Sequence, residues 1–233
     1  MENKTKILAE YLDKHFYVYL LCGLGILNVA PILAPVFAAI GLTLPAQIIY
    51  FVYSFLCHQL DWRSLHVFDY QYAWCVRCTF IWLNIFFVAL LTLKYKIRAI
   101  KWYWVIPFII PIALDGGIQT VATIIGFMHS DPYYISTNFT RMLTGAFFGM
   151  GIGLWIMPSL WESSSKKDNR REFKIKTIYF VLLAMILNLL LYIALVYIWN
   201  VTSIKYPPVN FLDYVTKMPI SDAQWLIRRL HGV

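Results

Sequence analysis

Residues 57–78 read CHQLDWRSLHVFDYQYAWCVRC, a polar stretch set between two apolar runs, Pro45–Cys57 before it and Tyr72–Leu93 overlapping its end. It holds three of the four cysteines (Cys57, Cys75 and Cys78), together with His58, His66, Arg63 and Arg77. Ionisable side chains are costly in or near a bilayer, so a concentration of them between membrane-grade segments is read first as a site.

The rest of the chain supplies that membrane context. It has 60% hydrophobic and 14% charged residues, against about a quarter charged in soluble domains. Several runs reach the roughly 20 apolar residues that cross a hydrocarbon core. Many of the nine Trp and 16 Tyr stand at the ends of those runs, where aromatic belts form. The class is an all-α integral membrane protein. The net charge of +8 belongs to basic cytoplasmic loops rather than to a nucleic-acid surface. The expected partners are therefore membrane lipids and no nucleic acid. Met1–His15 is polar and mixed in charge, without the apolar core and cleavage site of a signal peptide.

Five spans are expected. The first is Phe16–Ile40, with Pro31 and Pro35 in its second half and a lone Cys22 that reads as a small buried hydrophobe. Pro45–Cys57 is too short to cross and suits a re-entrant or interfacial helix. The second span, Tyr72–Leu93, is followed by Lys94, Lys96, Arg98 and Lys101. The third, Trp102–Met128, reads as a broken helix, interrupted by Pro107, Pro111 and Asp115-Gly116-Gly117. The fourth, Asn138–Trp161, carries Gly145, Gly149 and Gly153 along one face, a close-packing stripe. The fifth, Thr177–Trp199, is almost purely aliphatic and reads as a lipid-facing anchor. Positive loops stay inside, so segments 94–101 and 162–176 and the N-terminus are assigned to the cytoplasm. The 58–71 connection and an amphipathic tail, 201–233, then lie outside. Residues 1–200 form the membrane domain.

With this threading, four segments deliver polar groups to the outer half of the membrane. They are Cys57 with His58; Cys75, Arg77 and Cys78; Asp115 with Gln119 one turn on; and Thr137, Asn138 and Arg141. Taken singly, each is plainly explained: a buried Asp satisfies a kinked backbone as readily as it does chemistry. Their convergence on one side is harder to assign to structure alone.

FLCHQLDWRSL, WCVRCTFIWLN, ALDGGIQT and STNFTRMLTG together resemble a domain-of-unknown-function family of predicted prokaryotic membrane proteins. Its pattern is Cys-His-Gln, Arg-Ser, Cys-x-Arg-Cys, Asp-Gly-x-x-Gln and Ser-Thr-Asn-x-x-Arg. The resemblance carries onto Cys57, His58, Arg63, Ser64, Cys75, Arg77, Cys78, Asp115, Gln119, Thr137, Asn138, Arg141 and Gly145. It departs where Thr79-Phe80-Ile81 stands in place of a frequent glycine. It implies a shared site in a prokaryotic plasma membrane and names no activity.

Three chemistries fit these residues. Cys57, Cys75 and Cys78 with His58 or His66 have the two-plus-two layout of tetrahedral zinc; adjacent Cys57 and His58 point apart, which favours His66. Alternatively, Cys75 and Cys78 form a redox pair beside an aromatic cavity, exchanging with a quinone, with Arg77 favouring the thiolate and Cys57 resolving. In the third, Arg63, Arg77 and Arg141 clamp an anionic lipid headgroup, with Asp115 as general base, His58 as acid and Gln119 beside them. That last arrangement suits a lipid-modifying enzyme, or a transporter built on a discontinuous helix. Zinc is the leading reading.

Overall fold

The computed structural model describes residues 2–129, 136–164 and 177–203. These residues are mainly helical, and among them five helices are long and apolar enough to cross a membrane. Helix α1 (Glu2–Ala39) stays continuous through Pro31 and Pro35. It stops where Gly41 takes a left-handed backbone (φ 82°) and the Leu42 amide reaches back to Phe37 O at 2.9 Å, a Schellman-type ending that suits glycine. The chain then reverses into α2 (Thr43–Ser54), whose 12 residues measure about 18 Å, too short to cross. It folds back along α1 until the Tyr53 hydroxyl donates to Leu27 O at 3.1 Å.

The next segment departs from expectation. Instead of a polar outer connection running straight into a span at Tyr72, the chain makes a turn of 3-10 helix (Asp61–Arg63) and an antiparallel hairpin. The strands are β1 (Ser64–Val67) and β2 (Tyr70–Cys75), and the following helix begins only at Val76. All four β1 residues are buried, as are Tyr72, Ala73 and Trp74. Leu65 and Val67 pack with Tyr192, Val196 and Trp199, while Trp74 packs with Ala34 and Tyr53. Helices thus cover the hairpin on both sides, α6 against one and α1 with α2 against the other. The two-residue turn is Phe68-Asp69, with φ 53° and 66°. Positive φ at both central residues matches the twist of paired strands, but Phe-Asp is not a turn that sequence announces.

Four helices complete the bundle: α3 (Val76–Tyr95), α4 (Ile106–His129), α5 (Asn138–Ser164) and α6 (Thr177–Thr202). The expected break in the third span is absent: α4 runs unbroken through Pro111 and Asp115-Gly116-Gly117. In a span, an unpaired backbone group costs several kcal/mol, more than the poor helix propensity of two glycines. The glycine stripe on α5 packs closely, as expected. A Cβ on Gly145 would lie 2.6 Å from Arg77 O, and one on Gly149 would overlap the Ile81 carbonyl, so α5 rests directly on the α3 backbone. Helix α6 is not a plain lipid anchor. Leu182, Leu183, Ile186 and Leu190 face outward, but Asn188 is buried and exchanges amide hydrogen bonds with Asn84 of α3 at 2.9 and 3.0 Å. Tyr192 is fully buried beside Phe80. A single Asn in an aliphatic run is the sequence mark of such a docked face. The tail from 204 lies outside the described residues.

Candidate functional site

The hairpin and the reversed helix α2 bring three thiols to the N-terminus of α3. Cys57 follows α2, its amide bonded to Tyr53 O at 3.0 Å. Cys75 ends β2 and caps α3, where its Sγ accepts from the Cys78 amide at 3.5 Å, and its own amide donates to Cys57 Sγ at 3.3 Å. A bulge between Ser64 and His66 shifts the register just before Ser64 pairs with Cys75, and such bulges re-aim side chains. The three sulfurs lie within 4.8 Å of one another, and all three cysteines are free. Donation from the Cys75 thiol, and then from Cys78, holds Cys57 well below the usual thiol range. The same contact, together with burial, pushes Cys75 up.

One turn along, a second cluster adjoins the thiols. Arg77 on α3 donates to the Asp115 carboxylate of α4 and to Ser136 Oγ at 3.3 Å, and Ser136 donates to the other Asp115 oxygen at 2.6 Å. Asp115 stands midway along α4 and is buried; a carboxylate there is tolerable only with such partners. Gly116 lies beside the guanidinium: a Cβ there would stand in ordinary contact with Arg77 Nη1, at 3.6 Å. On α5, Thr137 caps the helix by accepting from the Thr140 amide at 3.1 Å. One turn in, Arg141 is 2% exposed and donates from Nη1 to Asn138 Oδ1 at 3.2 Å. Its electrostatic neighbours are Arg63, Arg77, Cys75 and Asp115.

The residues named from sequence therefore fall into place unevenly. Cys57, Cys75 and Cys78 meet; Arg63, Arg77, Arg141 and Asp115 lie together; and Gln119 is buried one turn from Asp115. The histidines stand apart from the thiol group. His58 is exposed. His66 is buried, with Nε2 3.2 Å from Asp61 and its ring stacked on Trp199 at 4.7 Å. Ser136, which completes the Asp115 network, opens the Ser-Thr-Asn motif but is given no role by the sequence, because nothing in its spacing points to Asp115, 21 residues earlier.

A family model described as predicted membrane protein (DUF2085) matches residues 57–155. An uncharacterised protein of Methanocaldococcus jannaschii is 32% identical over 166 residues, covering 66% of this chain and 98% of its own length. This chain belongs to the DUF2085 family. The matched family segment starts at Cys57 and takes in the thiol trio, Arg77, Asp115 and Arg141, while α1, α2 and α6 lie outside it. No solved structure matches the chain.

Proposed function

We propose that this DUF2085 protein is a metal-binding membrane protein that holds zinc on Cys57, Cys75 and Cys78. One observation carries the reading: three thiols from separate segments lie within 4.8 Å of one another. Thiolates at the zinc–sulfur distance of about 2.3 Å in a tetrahedron stand roughly 3.8 Å apart, so a small adjustment closes the set. Soft thiolate donors favour zinc over hard cations. Three protein ligands leave a fourth position, the layout of a site that binds water or substrate rather than one that only staples a fold. Arg77, inside the Cys-x-Arg-Cys segment, offsets the thiolate charge. The adjoining groups of Arg63, Arg77, Arg141, Asp115 and Gln119 form the pocket in which a ligand of that position would sit. The basic segment 94–101 follows the opposite end of α3, which supports a site on the non-cytoplasmic side of a prokaryotic plasma membrane.

Elemental analysis of purified protein is expected to give about one zinc per chain, falling to near zero in Cys57→Ser. A second reading rests on the same free thiols: two of them close a disulfide, passing two electrons and two protons to a quinone that leaves as quinol. Metal-free protein whose thiol count falls by two on quinone addition would replace the first reading with the second.

A further inference from the structure

The arginines beside the thiols make a second site that does not depend on metal. Arg141 is 2% exposed, and among the described residues its Nη2 is a buried donor without a hydrogen-bond partner. Arg77 Nε is in the same condition. Both belong to a group in which Arg141 feels the positive charges of Arg63 and Arg77. Cys75 and Asp115 offset part of that charge, but Asp115 is already engaged by Arg77 and Ser136. Like charges crowded into a low-dielectric interior repel strongly, and a guanidinium left with an idle buried donor is costly. The helices do not relieve the crowding; they enforce it. Gly145 seats α5 on the backbone of Arg77 itself, one turn past Arg141. An anion held among these guanidiniums would relieve that repulsion and take up the idle donors.

We propose that Arg141, Arg77 and Arg63 form an oxyanion pocket that takes a phosphate group, presented either by a free phosphate compound or by a lipid headgroup. Guanidinium forks pair bidentately with phosphate oxygens, and the buried Arg141 Nη2 and Arg77 Nε, which have no hydrogen-bond partner among the described residues, are the donors such a group would meet. Arg77, at the edge of this group, has a side chain that is 20% exposed.

The test uses full-length protein in phosphatidylcholine nanodiscs, with inorganic phosphate titrated calorimetrically, and a parallel preparation containing phosphatidic acid followed by thermal unfolding. Saturable phosphate binding, or a stabilisation specific to phosphatidic acid, weakened at least tenfold in Arg141→Lys, supports the pocket. Lysine keeps the charge but loses the fork. The first result assigns a soluble source and the second a headgroup. If Arg141→Lys does not fold, Arg63→Gln, at a half-buried position, is read instead, with a several-fold loss expected. Neither ligand binding to wild type, or equal binding by the folded variants, means that water alone fills the pocket and overturns the proposal. Because metal content is measured separately, failure here leaves the zinc site standing, and the reverse holds too.

Discussion

Cys75 has two jobs that a substitution can separate. Its sulfur caps α3 by accepting from the Cys78 amide, and it belongs to the thiol trio. Serine caps a helix at least as well but is a poor zinc ligand. Cys75→Ser is therefore expected to keep the helical content of wild type and the thermal stability of metal-free wild type while losing bound zinc, as circular dichroism and elemental analysis would read. The Arg77–Asp115 pair is the opposite case, a bond whose halves cannot be lost singly. Asp115→Leu leaves a largely buried guanidinium without its carboxylate and should cost about 3 kcal/mol, whereas Arg77→Met with Asp115→Leu should recover most of that; denaturation in detergent measures both. At this scale much of the site was legible. Cysteines, arginines and an aspartate stand out in a chain this apolar because each must be satisfied. The histidines did not read as clearly, because their position depends on where a hairpin turns. His66 pairs with Asp61 and stacks on Trp199, 133 residues away, a partner no spacing rule suggests.

Among the elements, the contact between α3 and α5 sets the geometry of the site. Gly149 sits against the Ile81 backbone with no room for a methyl group, so Gly149→Ala must push the helices apart. Overpacking of this kind typically costs about 1–3 kcal/mol. The displacement also moves Arg141 relative to Arg77, so the variant should lose phosphate binding even where it still folds; a folded variant with unchanged binding would contradict this account. The stripe was visible in sequence because small residues at intervals of four have one geometrical use. The hairpin was not visible. Its strands are four and six residues long, its turn lacks glycine or asparagine, and the β1 residues are buried on both faces, which erases the alternation that marks a strand. The unbroken α4 was misread for a related reason: glycine and proline weaken a helix in water, but a bilayer offers its backbone no other partner.

For the whole molecule, five helices among the described residues are long and apolar enough to cross a membrane, and five crossings would leave the two ends of the described chain on opposite faces. Together with the basic segment after α3, this predicts a cytoplasmic N-terminus. A reporter active only in the cytoplasm should work when fused before Met1 and fail when fused after α6, and a periplasm-active reporter should show the reverse. The short helix α2 makes the odd number possible. It turns back along α1 rather than crossing, and so carries Cys57 to the same end of the bundle as Cys75.

The hairpin tip hangs from the last helix: the Phe68 amide donates to Thr202 Oγ1 at 3.3 Å and the Asp69 amide to Ser203 Oγ at 3.4 Å. Cys75 lies six residue steps of extended chain beyond Asp69, about 20 Å at strand rise. A fluorophore on a cysteine placed at Ser203, with Cys22 replaced and the trio protected during labelling, would thus sit within quenching range of a cobalt ion loaded on those thiols. Dimming on cobalt addition, abolished in Cys57→Ser, would give an optical gauge of site occupancy in intact membranes.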